Sequence, residues 1–164
     1  MMELLGSNPF NLLPHFAALA SAYLLALPIG WNREREERSA GLRTFPLVAV
    51  ASCGFIQAAE SLAGHEPEAM ARIVEGIITG MGFIGGGAIL RMKESVKGTA
   101  TAASLWATGA IGTAVGLGSY DVAIVIALIT MITLWVLSPL KPELTGKKHE
   151  EDKGNEKFDR GSAD

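Results

Sequence analysis

At 164 residues, with 49% hydrophobic and 19% charged side chains and a net charge of −3, the chain averages out as an ordinary globular protein. The average conceals two unlike regions, because residues 141–164 hold 13 of the 31 charged side chains and the remainder is far more apolar. A single cysteine, Cys53, excludes an intramolecular disulfide, and basic residues dispersed among acidic ones argue against nucleic-acid binding.

A bilayer hydrocarbon core about 30 Å thick needs about 20 mostly apolar residues of helix. Five such stretches occur, at about 10–31, 44–61, 73–90, 99–118 and 122–140. They predict an all-α integral membrane protein, a bundle of about five transmembrane helices over residues 1–140. A soluble bundle would show polar outer faces, and the fourth and fifth stretches carry no charge at all.

The first stretch is read as a retained span, since no Lys or Arg precedes it and four Arg follow it, the reverse of a signal peptide's flanks. Pro28 is expected to kink it one turn before its end. The charged segment after it, with Arg33, Glu34, Arg35 and Arg38, is expected to extend the helix, Glu34 pairing with Arg38 four residues on.

Basic residues select the cytoplasmic side. Four lie between the first two spans, three (Arg91, Lys93, Lys97) between the third and fourth, and six after the fifth, with only Arg72 elsewhere. That alternation predicts the N-terminus outside and the C-terminus cytoplasmic. Trp31 and Trp135 fall at the inner ends, and Tyr120 falls in a tight outer turn that makes the last two spans a hairpin. Pro46 sits in the first turn of the second span, where a missing amide costs little. Residues 141–164, rich in Lys, Glu, Asp and Gly, are expected to form a disordered cytoplasmic tail.

The third span contains Gly80-Met-Gly-Phe-Ile-Gly85, a letter match to the dinucleotide fingerprint. The pattern has meaning only after a strand, and here it lies in an apolar helix. Gly76 and Gly80, then Gly82 and Gly86, are instead G-x-x-x-G pairs that let another helix approach. Gly85-Gly86-Gly87 has two readings, close packing or a local break whose freed carbonyls line a polar cavity.

In the fourth span Ala100, Ser104, Thr108, Gly112 and Gly116 recur every four residues, a small-residue stripe for a close crossing, expected against Gly82 or Gly86. Trp106 sits mid-span and is expected between helices.

Glu60 and Glu75 fall at outer ends of their spans, where a carboxylate can reach water, and Arg72 is placed to pair with Glu75. The alternative is an outward-facing cation site, since hard cations take oxygen ligands. His15, His65 and His149 are too scattered for a soft-metal site. No phosphate-binding loop, nucleophile elbow or Cys/His metal spacing occurs, so neither an enzyme nor a cofactor is expected, and an ATP-driven pump is excluded for this chain alone.

Three segments together resemble the membrane domain of the MgtC/SapB family: Arg33-Glu34-Arg35 through Gly41-Leu42-Arg43-Thr44, Gly80 through Leu90, and Gly98 through Trp106 with Gly109, Gly112 and Gly116. The family's marked positions fall here on Arg33, Glu34, Arg35, Gly41, Arg43 and Thr44 in the first inner loop. They continue on Gly80, Gly82, Gly85 and Gly87, then Thr101, Ala102, Ala103, Trp106 and Gly112. Phe45 stands where a His is common, and the sequence reads as a short form without the C-terminal cytoplasmic domain of longer members.

The resemblance implies a multi-pass protein of the bacterial inner membrane, linked to magnesium homeostasis and adaptation to low magnesium. It implies a regulator that binds another membrane protein, such as the proton-driven ATP synthase, with Arg33, Glu34, Arg35, Arg43 and Thr44 as the contact surface. A Mg²⁺ or other cation transporter is the alternative, and a second copy of the chain is an allowed partner beside the lipid bilayer.

Overall fold

The computed structural model describes residues 12–36, 40–63, 66–92 and 95–137. Five helices follow one another: α1 Leu12–Arg35, α2 Thr44–Ala63, α3 Pro67–Gly87, α4 Thr99–Gly116 and α5 Tyr120–Leu137. Between α3 and α4 lies an antiparallel hairpin, β1 Leu90–Met92 and β2 Ser95–Lys97, so the fold is helical with one small exception to the expected all-α reading. Three-residue strands are too short for a period-two pattern to register in a sequence.

Local chemistry sets the helix ends. α1 runs unbroken past Pro28 into Arg33, Glu34 and Arg35. α2 starts where the Gly41 carbonyl accepts the amides of Thr44 and Phe45, at 3.0 and 3.1 Å, with Pro46 just inside and no amide to leave unpaired. α3 begins at Pro67, earlier than residue 73, because Pro fits the first helical turn. The same helix continues through Gly85 and stops at Gly87, where the Ala88 amide turns back to Gly85 O at 3.1 Å. The glycine triplet therefore ends α3 rather than breaking it in mid-course. The tail from 141 onward and Arg38 lie outside the described residues.

Close contacts give the packing directions. A Cβ built at Gly30 of α1 would sit 3.3 Å from Phe45 Cβ on α2, and one at Gly54 would sit 3.8 Å from Leu19, so α1 and α2 run antiparallel. Gly112 faces Ala49 and Gly116 faces Cys53 and Ile56, so α4 runs parallel to α2. Gly85 meets Ala102 and Gly109 meets Met81, which makes α3 and α4 antiparallel. Gly118, at φ +77°, supplies the left-handed residue for the tight turn into α5.

The helix at the centre is α4, which packs against all four others. Apart from Leu105 its interior residues are small or β-branched, including Thr101, Ala102, Ser104, Thr108, Gly109 and Gly112. Three helices, α1, α3 and α5, are long and apolar enough to cross a membrane. α2 has a shorter apolar stretch, Thr44–Glu60, and α4 is rich in Thr, Ala and Gly, which lowers its hydropathy. A helix enclosed by its neighbours presents little surface to lipid and does not need an apolar exterior. α5 is the opposite case, with Ile124, Val125, Leu128, Ile129 and Ile132 all exposed, an apolar face that water would not tolerate but lipid does.

Candidate functional site

The basic end of the bundle gathers the C-terminal end of α1, the start of α2, the end of α3, the hairpin and the start of α4. Here the chain after α1 folds back over the helix it has just left. The Leu42 amide donates to Glu34 Oε2 at 3.1 Å, and a Cβ on Gly41 would overlap that carboxylate. Gly30, one turn earlier, leaves room for the loop backbone: a Cβ there would lie 3.2 Å from Leu42 Cα. The two glycines and Glu34 thus latch the loop to α1, while the expected partner of Glu34, Arg38, lies outside the described residues.

Arg33 is not part of the surface. It is 2% exposed, its Nη2 donates to Asn32 Oδ1 at 2.7 Å, and Nη2 lies 3.2 Å from Glu36 Oε2. Its helical position turns the guanidinium inward, whereas Arg35 and Arg43 are exposed and Thr44 is half-buried. Of the five residues expected to form the contact surface, Arg35, Arg43 and exposed Glu34 are presented outward. Phe45 is fully buried, its Cβ close to Gly30 of α1, a packing role that its charge-free side chain suits.

The small-residue stripe of α4 meets α2, not the expected glycines of α3. A Cβ on Gly112 would overlap the Ala49 carbonyl oxygen, and one on Gly116 would lie 2.7 Å from Ile56 Cβ. Gly82 and Gly86 face nothing within 4 Å, and the same holds for Gly76, Gly80 and Gly87. Only Gly85 of that series touches α4, a built Cβ lying 3.4 Å from Ala102 O. Trp106 is half exposed beside a cleft of about 270 Å³ between α3, α4 and α5, rather than enclosed.

Ser104 donates to Ala100 O at 2.6 Å and Thr108 to Ser104 O at 2.8 Å, so the buried hydroxyls of the stripe spend their protons on their own helix. Glu60 and Glu75 are exposed, and among the described residues Arg72 and Glu75 form no ion pair. Because α3 starts at Pro67, Glu75 stands about 12 Å along the helix from that end, farther in than expected. No group of three or more His, Cys, Asp or Glu placed to hold a metal occurs among the described residues.

Sequence reasoning missed the partner of the stripe. The usable signal was Ala49 and Cys53 on α2, themselves small and four residues apart. It also missed a groove of about 970 Å³ between α2 and α3, with Leu47, Phe55, Ile73, Gly76 and Gly80 in its walls and Arg43 at its mouth.

The latched basic loop, the glycine-rich third helix and the small-residue fourth helix all lie within the stretch that one family model matches. The MgtC family model matches residues 19–142. The chain belongs to the MgtC family. Protein SrpB of Synechococcus elongatus is 35% identical over 128 residues, 71% of this chain and 70% of that protein. Protein MgtC of Salmonella typhimurium is 37% identical over 118 residues, 72% of this chain but 50% of its own length. Protein MgtC of Brucella abortus is 37% identical over 129 residues, 78% of this chain and 53% of that protein. The chain thus spans about half the length of these MgtC relatives. No solved structure matches it. Membership of this family, together with three helices long and apolar enough to cross a bilayer, identifies a membrane protein.

Proposed function

We propose that this MgtC-family chain is a non-enzymatic regulatory protein of the bacterial inner membrane, one that binds another membrane protein and serves adaptation to low magnesium. In this reading all five helices span the bilayer, with the N-terminus outside and the basic end in the cytoplasm. The positive-inside distribution of Lys and Arg supports the orientation. The magnesium link follows the MgtC relatives.

The carrying observation is the contrast between the interior and the basic end. Inside the bundle the buried polar side chains are Ser52, Thr101, Ser104 and Thr108, and the single buried charge among the described residues, Arg33, is held by Asn32 and Glu36 at one end. A cation path would call for oxygen ligands facing a common space. Arg35 and Arg43, by contrast, stand exposed on a loop that Glu34 latches in place, as a partner with acidic groups would need.

Purified protein in liposomes is expected to move no Mg²⁺. In cells under magnesium limitation, Arg35→Gln with Arg43→Gln is expected to abolish the phenotype while membrane insertion stays intact. Robust Mg²⁺ flux through the unmodified protein, abolished by Glu60→Gln with Glu75→Gln, would establish the transporter instead.

A further inference from the structure

The α2–α3 groove has features that the regulatory reading leaves unused. α3 is held chiefly by α4, and only Met81 and Gly85 of α3 are buried. Gly76 and Gly80 line the groove and would meet nothing within 4 Å if they carried a side chain, so the wall on that side is bare backbone. On the facing wall, Leu47 and Phe55 are 64% and 62% exposed. The lining contains one charged side chain, Arg43, at the end where α2 begins. Among the described residues that guanidinium makes no ion pair.

We propose that this groove binds one anionic phospholipid, an acyl chain lying along Phe55, Gly76 and Gly80 with the phosphate on Arg43. The inference rests on α2 and α3 spanning the bilayer, and not on the choice between regulator and transporter. Arg43 enters both readings, and Arg35→Gln, which lies outside the groove lining, should weaken the partner contact while leaving lipid binding unchanged. From Thr44 to Ala59 the groove follows about 22 Å of helix, longer than the half-thickness, about 15 Å, of the hydrocarbon core. Its floor therefore reaches from headgroup level to beyond the midplane.

The groove's walls are mainly apolar side chains and bare glycine backbone along their length, with a single cation at the headgroup-level end. An acyl chain ending in an anionic phosphate has that same order of apolar length and terminal charge. At the mouth, the Thr44 and Phe45 amides already bond Gly41 O, so recognition of a phosphate falls to the Arg43 fork and the Thr44 hydroxyl.

The test uses the full chain in mild nonionic detergent, with phosphatidylglycerol or phosphatidylcholine added and bound lipid counted by native mass spectrometry. Wild type should prefer phosphatidylglycerol by about fivefold, the increment expected of one Arg near an anionic surface. Arg43→Gln should erase the preference, and Gly80→Leu should lower binding of both lipids. Because a Cβ on Gly80 meets open space, that variant should fold as wild type does.

A photoreactive residue at Phe55, activated in native membranes, should yield a lipid adduct. Equal binding of the two lipids by wild type, a preference that survives Arg43→Gln, or a crosslink at Phe55 to a protein or a second copy would each overturn the proposal. Failure of α2 and α3 to span the membrane would appear separately, as reaction of Phe55→Cys with an impermeant reagent.

Discussion

Replacing Gly112 by Ala adds one methyl group where α4 comes closest to α2 among the described glycines. The added Cβ would overlap the Ala49 carbonyl oxygen and lie 2.9 Å from Ala49 Cα, and those atoms are backbone, so no rotamer change relieves them. α2 and α4 must separate, and overpacking of this kind costs about 1–3 kcal/mol. Gly82→Ala is the matched control, a helical glycine with nothing within 4 Å. Both variants gain the same helix propensity, about 1 kcal/mol, so their difference isolates the packing cost.

Cys53 reports it directly, being fully buried on the α2 surface whose carbonyl lies 3.0 Å from a Cβ built at Gly116. Alkylation of its buried thiol requires the packing around α2 to open, and its rate follows that opening equilibrium. In mild detergent Gly112→Ala should label about 5- to 150-fold faster than Gly82→Ala. Equal rates would refute the assignment of the α4 stripe to α2.

The hairpin connection gives a second matched pair. Gly98→Ala and Gly118→Ala both force a left-handed residue, at φ +91° and +77°, but only the first drives a Cβ into Ala88 O. Both should lower the melting temperature through a backbone cost of about 1–2 kcal/mol, and Gly98→Ala should lower it further. Identical melting curves would mean that the α3 and α4 ends are not clamped together. For the orientation, single cysteines replacing Glu68 and Asp121 in a Cys53→Ala background should react with an impermeant reagent in intact cells, while Arg35→Cys should not. Labelling of the last would reverse the orientation.

The helices were legible because five apolar runs of near-membrane length, interrupted only by Glu60 and Glu75 near the ends of the second and third, are hard to confuse with anything else. Their order in space was not. The steps of four in Ser104, Thr108, Gly112 and Gly116 announce that a backbone comes close without saying whose, and two sets of small residues, on α2 and α3, competed for it. The G-x-x-x-G glycines Gly76 and Gly80 fit the motif but line an open groove, since the motif permits an approach without compelling one. Glu34 was expected to pair four residues along a helix. It also accepts the Leu42 amide, because Gly41 allows the loop to turn back, a contact that helical spacing does not encode, and Arg38 itself lies outside the described residues.

Arg33, Glu34 and Arg35 are consecutive, and nothing in their composition ranks one above another. The helix separates them: Arg33 faces inward at 2% exposed while its neighbours face out. A buried guanidinium that loses its charge leaves its partners unpaired, which costs about 3–5 kcal/mol for a fully buried pair. Here Glu36 keeps a side-chain exposure of 23%, so water relieves part of that loss and the expected cost falls to about 1–3 kcal/mol. Arg33→Gln should therefore lower the melting temperature and the amount of protein in the membrane. Arg35→Gln and Arg43→Gln should leave both unchanged while removing the phenotype. Arg33→Lys should recover only part of the loss, because an ammonium cannot bond Asn32 through two nitrogens as Nε and Nη2 do at 3.2 and 2.7 Å. If Arg33→Gln proved as stable as wild type yet lost the phenotype, Arg33 would belong to the contact surface after all, and the basic end would have to rearrange on meeting its partner.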